Sequence, residues 1–524
     1  MLTALEIENF KGIAARQRVE LAPLTLLFGA NSAGKSSILQ ALLYLHELIE
    51  RGSADVDRTE LGGSVLELGG FARLVHKHET ERPIVLRAEF ATPGGLERFG
   101  RDLTDFPFPD LDDEVESAWL ELTIQHRTAA AFHGAMVERA AIGVNGQLEP
   151  LVWLEAPGSL REGDPIYARI NLGHPLVARA APYVAESWLA ISVPEPEWHR
   201  GVDPSFPERG VVIGLDDLLG FTDGRALPLV ALSRGRLSAL PHPSEPLRVV
   251  PFGDDTPEVS AAQQQVRTFL EMIVLGTTSQ LASFMRDAQY IGPLRTIPPR
   301  GALYERAGRI TNWADGLAAW ELLVADRLTL VERTNDWLRK LGAGCQVVVQ
   351  QLFDGGADAE ELSDGHVDKT VRRLLLDTGA GSFVVPSEVG AGISQLVPVV
   401  VAAIEGRGGL TLVEQPEIHV HPAVQVGLGD ILLDGARREG QRRITLVETH
   451  SEHLLLRVMR RMRETYEGTV PEGVRPVAPT DVSVVLVEKD GERSITRKMP
   501  LNERGELVKA WPGGFFEEGL REVL

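Results

Sequence analysis

Cysteine is almost absent from this sequence, and its absence narrows the classes of protein to consider. Cys345 is the only cysteine in 524 residues. A single thiol excludes an internal disulfide framework and a CxxC metal site, and it suits a reducing compartment. Stability must therefore come mainly from buried apolar side chains, and a hydrophobic content of 44% is enough for substantial cores.

Long apolar runs are missing as well. The longest, LVPVVVAAI at 396–404, is too short to cross a bilayer and contains Pro398. The N-terminal residues MLTALEIENF carry Glu6 and Glu8 where a secretion signal needs an unbroken apolar stretch. We therefore expect a soluble cytoplasmic protein that does not contact membranes.

Basic residues are in deficit, and the net charge is -21. A nucleic-acid partner would need a locally basic face. Two groups of arginines are candidates, one on a predicted helix and one in a proline-broken link: Arg457, Arg460, Arg461 and Arg463, and Arg295, Arg300, Arg306 and Arg309. Such groups are usually solvated or paired with acids of the same chain, so DNA or RNA binding stays open.

Among the features that are present, the first is a strand–loop–helix unit near the N-terminus. The alternation of apolar and polar residues in TALEIENFKGI predicts an edge-type strand. The apolar run LTLLF at 24–28 predicts a central strand that is buried on both faces. The segment SSILQALLYLHELIERG has helical periodicity, and Gly52 predicts its end.

The loop within this unit has the pattern of a phosphate-binding P-loop. GANSAGKSS, residues 29–37, fits G-x-x-x-x-G-K-S/T. In such a loop main-chain N–H groups face phosphates, the lysine neutralises phosphate oxygens and the serine hydroxyl binds Mg²⁺. We therefore predict a site for ATP and Mg²⁺, with a chance glycine turn as the alternative. The predicted binding residues are Gly29, Asn31, Ser32, Ala33, Gly34, Lys35, Ser36 and Ser37, with Ser36 as a metal ligand.

A second segment, LTLVEQPEIHVHP, joins a predicted buried strand to several acids. Glu414 ends the strand and is the candidate for the second Mg²⁺ ligand, because a P-loop site needs an acid at a strand end. Gln415 follows where a base is usually required, and an amide can orient water without taking its proton. Glu417, Glu448 and His450 are alternative bases, since the next predicted strand, RITLVETH, brings its end alongside. We assign catalytic roles to Glu414, Gln415, Glu417 and His450.

Two histidines in the same segment invite a metal site of another kind. His419 and His421 could join Glu417 around an ion. Two residues at this spacing share no helix face. We therefore interpret the segment as a turn that ends at Pro422.

Five segments occur in the order found in ATPases of the RecF/SMC branch of the ABC superfamily: LEIENFKGI, GANSAGKSS, VGAGISQ, LVEQPEIHVHP and LVETHSEHLL. The chain also resembles bacterial AAA-family ATPases related to the OLD proteins and the Septu defence ATPase. YIGPLR at 290–295 and WPGGFFEE at 511–518 are hallmarks of a subgroup of these.

This resemblance implies an ABC-type head that closes face to face with a second copy on two ATP molecules. Glu414 falls on the magnesium acid of the family, Gln415 on its catalytic glutamate and His450 on its switch histidine. The signature segment, which would contact the partner's ATP, corresponds to Gly390, Gly392, Ser394 and Gln395. Relatives act in phage defence or DNA maintenance, often beside a separate effector. The implied function is therefore a slow, dimerising ATPase switch that regulates a partner.

We predict an α/β fold, a P-loop NTPase with an ABC/SMC-type head built from N- and C-terminal lobes. The predicted regions are an N-terminal ATPase lobe at 1–125, an inserted β or irregular region at 126–255, a helical region at 256–343, a C-terminal ATPase lobe at 344–475 and a small hairpin and helix extension at 476–524. The β-α-β-α order after 344 predicts a parallel sheet.

Three other function classes compete with the switch. An ATP-loaded scaffold with negligible hydrolysis is favoured by Gln415. The energy subunit of a transporter is disfavoured because Ser36 of the P-loop and Gly392 of the signature segment are 356 residues apart (392 minus 36), which implies a large insert, whereas the separation in transporters is usually roughly a hundred residues. A nuclease-associated, DNA-binding ATPase of the OLD kind is disfavoured because VLVEKDGE at 485–492 predicts a plain hairpin, and little sequence follows for a nuclease domain.

Overall fold

The computed structural model describes most of the chain. The described residues are 1–96, 115–129, 132–156, 166–171, 174–176, 227–230, 238–243, 246–249, 267–305, 312–325, 329–352, 371–379, 381–405, 409–437 and 443–512. Much of the predicted insert at 126–255, the start of the predicted helical region at 256–266, Arg306, Arg309 and most of WPGGFFEE lie outside them.

Strands make up three sheets in the described residues. Their bounds are β1 Leu2–Glu8, β2 Gln17–Glu20, β3 Leu24–Phe28, β4 Ile84–Ala91, β5 Ser117–Ala129, β6 Phe132–Val144, β7 Val152–Glu155, β8 Ile166–Ile170, β9 Leu227–Val230, β10 Arg248–Val249, β11 Gln289–Ile291, β12 Tyr304–Glu305, β13 Gln346–Leu352, β14 Val371–Asp377, β15 Phe383–Val384, β16 Leu410–Glu414, β17 Ile444–Glu448, β18 Val482–Asp490 and β19 Arg493–Lys498.

In the described residues, helices lie mainly in the second half of the sequence. The α-helices are α1 Lys35–His46, α2 Phe71–Leu74, α3 Gly276–Met285, α4 Leu317–Ala325, α5 Thr329–Lys340, α6 Ala391–Glu405, α7 Pro422–Ala436 and α8 Glu452–Glu467. Two π-helical segments, Glu47–Arg51 and Glu271–Leu275, adjoin α1 and α3. The N-terminal helix ends at Gly52, with φ of 64°, as its sequence predicts.

The central sheet has six strands in the order β11-β16-β17-β3-β18-β19. Every neighbouring pair is parallel except the β18–β19 hairpin. The prediction of a parallel sheet is therefore confirmed, and so is the C-terminal hairpin. The carboxyl ends of β3, β16 and β17 meet at one edge, and Glu414 lies directly beside Glu448.

A nine-stranded antiparallel sheet has the order β10-β9-β8-β7-β6-β5-β4-β1-β2. The prediction of β1 as an edge strand is wrong, because β1 pairs with β2 on one side and with β4 on the other. Tertiary pairing of β4, from a distant part of the sequence, covers the edge that local alternation could not anticipate. The predicted boundary at 125/126 falls within β5.

Two hydrophobic cores cover the two faces of the central sheet. Leu27 of β3 faces a core formed with α1, α3 and the antiparallel sheet. Leu26 and Phe28 face a second core formed with α4 to α8. β3 is buried throughout, as its apolar run predicts. Each such side chain contributes about 1.5–3 kcal/mol by burial, so the strand that carries the P-loop is firmly anchored.

Within the described ranges, no helix is both long enough and apolar enough to span a bilayer.

Candidate nucleotide site

The P-loop joins β3 to α1 at the carboxyl edge of the central sheet. Gly29 and Gly34 have φ of 144° and 108°, which favour glycine. A Cβ on Gly34 would lie 2.4 Å from Ser494 Oγ, and a Cβ on Gly29 would lie 2.1 Å from the Val487 carbonyl oxygen. The β18–β19 hairpin thus forms a floor so close to the loop that only glycine fits. The local motif does not reveal this floor.

Lys35 begins α1 and is enclosed by the loop. Its side chain is 3% exposed, and Nζ donates hydrogen bonds of 3.0 Å to the carbonyl oxygens of Gly29 and Ala30. Burial lowers the pKa of Lys35, while the carboxylates of Glu448, Glu417 and Glu414 oppose this shift. A buried ammonium in a ring of main-chain groups is the arrangement that a phosphate chain requires.

Ser36 contacts an acid that sequence reasoning considered only as a possible base. Its hydroxyl donates to Glu448 Oε2 at 2.7 Å, and Glu448 Oε1 lies 3.8 Å from Lys35 Nζ. Glu448 is 5% exposed and ends β17. The alignment of strand ends in LTLVE and RITLVE is the signal that pairs Glu448 with Glu414.

Glu414, the predicted metal ligand, lies at the same edge and is 7% exposed. Its Oε1 accepts a hydrogen bond of 2.8 Å from the Tyr290 hydroxyl. Burial first, and the charge of Glu448 second, raise the pKa of Glu414 to about 7, although Tyr290, Arg295 and Lys35 act in the opposite direction. Together with Ser36, the two acids offer the oxygen ligands that Mg²⁺ prefers.

Gln415 has a left-handed backbone, with φ of 43°. Its N–H donates to the Glu448 carbonyl oxygen at 2.8 Å, which ties the end of β16 to the end of β17. In the described part of the chain its side-chain amide makes no hydrogen bond. The amide is therefore available to a bound molecule, but it has no basicity to offer.

Glu417 and His450 belong to the same loop system. Glu417 accepts from Thr449 Oγ1 at 2.9 Å and from the His450 N–H at 2.6 Å, so this acid holds the two strand ends together. His450 Nε2 is buried and has no hydrogen-bond partner among the described residues. Burial, assisted by Lys35, lowers the pKa of His450. A neutral imidazole with an unsatisfied nitrogen beside the P-loop fits contact with a phosphate oxygen.

The predicted signature segment lies beside this loop, with two of its side chains directed inward. Ser394 is fully buried and donates to the Pro386 carbonyl oxygen at 3.1 Å. Gln395 is 6% exposed and bonds to the main chain of Arg295. The expected presentation of Ser394 and Gln395 to a second copy is therefore not what this structure shows. Because α6 packs against its own chain, the side chains of Ser394 and Gln395 are buried in intrachain hydrogen bonds.

The two signature glycines differ in their surroundings. A Cβ on Gly392 would lie 2.4 Å from the His419 carbonyl oxygen, so α6 approaches the 415–421 loop closely. Gly390 is exposed, and a Cβ there would meet nothing within 4 Å.

The two histidines of this loop do not form a metal centre with Glu417. His421 Nδ1 accepts from the Ala423 N–H at 3.2 Å and caps α7. His419 is exposed. Across the described ranges no three histidine, cysteine or acidic side chains are grouped as a metal site.

Most of the candidate arginines are paired within the chain. Arg461 donates to Asp430 at 2.7 Å, Arg457 lies 3.5 Å from Asp430, and Arg460 donates to Glu464 at 2.7 Å. In the link before α4, Arg295 is 3% exposed and Arg300 pairs with Glu388. Acids of the same chain therefore balance the charge of Arg457, Arg460, Arg461 and Arg300.

Lys11 is a further cation near the site that sequence reasoning missed. It follows β1 and has φ of 48°. Burial lowers the pKa of Lys11, and the attraction of the Glu414 carboxylate opposes this shift. The motif NFKGI offers no local signal for this proximity, which depends on the contact between the two ends of the chain.

Two segments of the chain match family models. Residues 1–94 match a model described as "AAA ATPase domain". Residues 334–457 match one described as "AAA domain, putative AbiEii toxin, Type IV TA system". The first includes the P-loop and the second includes Glu414 and His450, so the matched segments are those that meet at the site. No curated protein matches the chain.

Several solved structures are similar over nearly the whole chain. An SMC head bound to the C-winged helix domain of ScpA has 10% identity and a TM-score of 0.36, covering 95% of this chain and 98% of that chain. The SMC head domain from Thermotoga maritima has 8% identity and a TM-score of 0.35, covering 95% and 99%. An SMC head with an extended coiled coil, bound to the C-terminal domain of ScpA derived from Pyrococcus furiosus, has 10% identity and a TM-score of 0.35, covering 100% and 98%.

Strand order and the P-loop, rather than these likenesses, define the class of protein. A parallel sheet carries a phosphate loop after β3 and acids at the ends of two neighbouring strands. The chain therefore has the α/β fold of a P-loop ATPase, built from its N- and C-terminal segments.

Proposed function

We propose that the protein binds ATP with Mg²⁺ and hydrolyses it slowly, as a dimerising switch. One observation carries the proposal: Lys35, Ser36, Glu448 and Glu414 converge from both ends of the chain at one sheet edge. The unsatisfied His450 Nε2 in the same place supports a ligand with acceptor oxygens.

In this proposal each group has a distinct task. Lys35 and the loop N–H groups bind the phosphates, and Ser36 and Glu414 hold the metal, with Glu448 beside them. Bound Mg²⁺ would neutralise charge on the phosphates. Gln415 orients water, and turnover is slow because this position lacks a base. His450 donates to the terminal phosphate.

Hydrolysis would be coupled to assembly. The resemblance to ABC/SMC-type heads supports a homodimer that closes on ATP and signals to a partner effector in phage defence or DNA maintenance.

A scaffold that holds ATP without hydrolysing it is the second candidate, because the Gln415 side chain is an amide and Glu417 is occupied by Thr449 and the His450 N–H. Single-turnover phosphate release separates the two functions. Release that is absent over hours would favour the scaffold.

The experiment compares three proteins in binding of a fluorescent ATP analogue and in phosphate release. Lys35→Ala should weaken binding on the order of 10- to 100-fold, because a charged hydrogen-bond donor is lost. At saturating Mg²⁺, Glu414→Gln should keep ATP bound and lower phosphate release on the order of 100-fold, because metal and water lose their positions. Unchanged release in Lys35→Ala would remove the P-loop assignment. Repeating the assay with duplex DNA tests whether a nucleic acid changes ATP binding or phosphate release.

A further inference from the structure

Arg295 is a buried cation bonded to the main chain at the end of β16. Its guanidinium donates to the Glu414 carbonyl oxygen at 2.5 Å and to the Gln415 carbonyl oxygen at 3.4 Å. Burying a guanidinium costs free energy that hydrogen bonds to carbonyl groups only partly offset. The nearby carboxylates of Glu417 and Glu414 favour this cation, so Arg295 is part of the charge arrangement of the site.

Tyr290 acts on the same acid from the neighbouring strand. β11 pairs with β16 in parallel, and the Tyr290 hydroxyl donates to Glu414 Oε1 at 2.8 Å. Tyr290 is 1% exposed, so its ring is fixed by packing. Glu414 is thus held twice, at its carboxylate by Tyr290 and at its carbonyl by Arg295.

Gln395 ties this arrangement to α6. Its Oε1 accepts from the Arg295 N–H at 3.0 Å, and its Nε2 donates to the Arg295 carbonyl oxygen at 2.6 Å. The close approach of Gly392 to the His419 carbonyl oxygen makes a second contact between α6 and the loop after Glu414. A shift of the first turn of α6 would therefore be transmitted to Arg295.

We propose that Tyr290 and Arg295 are positioning residues of the nucleotide site, and that Gln395 makes their position depend on α6. The proposal rests on the proposed ATPase function. Tyr290 orients the carboxylate of Glu414 toward the metal. Arg295 fixes the backbone conformation that directs the side chains of Glu414 and Gln415 into the site. Through Gln395, a ligand or second copy that moves α6 would change metal binding.

Matched variants separate positioning from stability. Tyr290→Phe removes one buried hydroxyl, and Tyr44→Phe removes another, which donates to Ala54 O at 2.6 Å. Arg295→Lys removes a buried guanidinium that donates to main-chain carbonyl oxygens. Arg443→Lys removes another buried guanidinium, which donates to the Ala402 carbonyl oxygen at 2.9 Å. Each pair should lose similar thermal stability, since similar bonds are lost.

The readout is the Mg²⁺ concentration for half-maximal binding of a fluorescent ATP analogue. Tyr290→Phe and Arg295→Lys should raise this concentration about 10-fold or more, the usual effect of losing a partner of a metal ligand. Tyr44→Phe and Arg443→Lys should leave it at the wild-type value. Equal effects within each pair would overturn the proposal while leaving the ATPase function intact. A wild-type protein that binds no ATP would overturn both.

Gln395→Leu tests the link to α6. Its effect on the Mg²⁺ requirement should not add to that of Arg295→Lys, because both act through one arginine. Additive effects would contradict the link.

Discussion

At the scale of single residues, the nucleotide site concentrates carboxylates in a buried space. Glu414 and Glu448 lie side by side at the ends of neighbouring strands, and Glu417 is on the following turn. Two carboxylates held this close repel each other, which is one reason why the pKa of Glu414 is raised. A divalent cation relieves the repulsion, so the charge arrangement favours metal binding.

His46 lies outside the site, and its burial makes the stability of the protein depend on pH. Its side chain is 3% exposed, and burial lowers its pKa to about 4, with Glu60 opposing and Arg51 assisting. In the unfolded chain its pKa is about 6.5. As the pH falls from about 6.5 to 4, the histidine gains a proton only when unfolded, and up to about 3 kcal/mol of stability is lost. Below that window no further loss arises from this group.

The prediction is that His46→Gln flattens the acid side of the stability profile. Thermal unfolding midpoints measured between about pH 7 and pH 4 should fall less steeply in the variant than in the wild type. The pKa of Glu47 is raised by burial, which opposes the loss over part of the range in both proteins. Equal slopes for the two proteins would show that His46 is not the group responsible.

At the scale of elements, the N-terminal turn of α6 and the loop after β16 pack as one unit. Gly392 marks the contact, since a Cβ there would meet the His419 carbonyl oxygen at 2.4 Å. A main-chain oxygen cannot yield as the tip of a flexible side chain does. Either α6 or the loop must shift to admit a methyl group.

Gly392→Ala should therefore destabilise the protein by about 1–3 kcal/mol, the usual cost of overpacking. Gly390→Ala is the matched control, because its Cβ would meet nothing within 4 Å. Thermal unfolding without nucleotide measures the difference. If the two variants have the same midpoint, the contact between α6 and the loop is not tight.

At the scale of the whole molecule, the proposed switch encloses ATP between two copies of the chain. In each copy the P-loop lies at residues 29–37, and the acids Glu414 and Glu448 lie in the C-terminal part of the sequence. Ser394 and Gln395 are committed to their own chain, so a contact across a dimer would be made by exposed main chain near Gly390.

We predict that Glu414→Gln becomes dimeric with ATP and saturating Mg²⁺, because it binds ATP and hydrolyses it too slowly to return to the nucleotide-free state. Lys35→Ala should stay in the state of the nucleotide-free protein. Light scattering after size-exclusion chromatography gives the mass of each. A Glu414→Gln protein of unchanged mass, with ATP bound, would contradict the dimer.

The sequence by itself determined those parts of the protein that depend on local chemistry. The P-loop, the buried strands LTLLF, LTLVE and ITLVE, the helix ending at Gly52 and the hairpin at 482–498 follow from periodicity, glycine placement and turn residues. These signals act over a few residues, so the local sequence is sufficient to predict them.

Only the tertiary structure decided which distant residues share the site. Sheet order brings together the residues that form the hydrogen bonds of Ser36 with Glu448, of Tyr290 with Glu414 and of Arg295 with the end of β16. It also places the β18–β19 hairpin beneath the P-loop. The inward positions of Ser394 and Gln395 depend on how α6 packs, and the interior place of β1 depends on a distant strand. Such contacts arise from pairing across hundreds of residues, which no local pattern encodes.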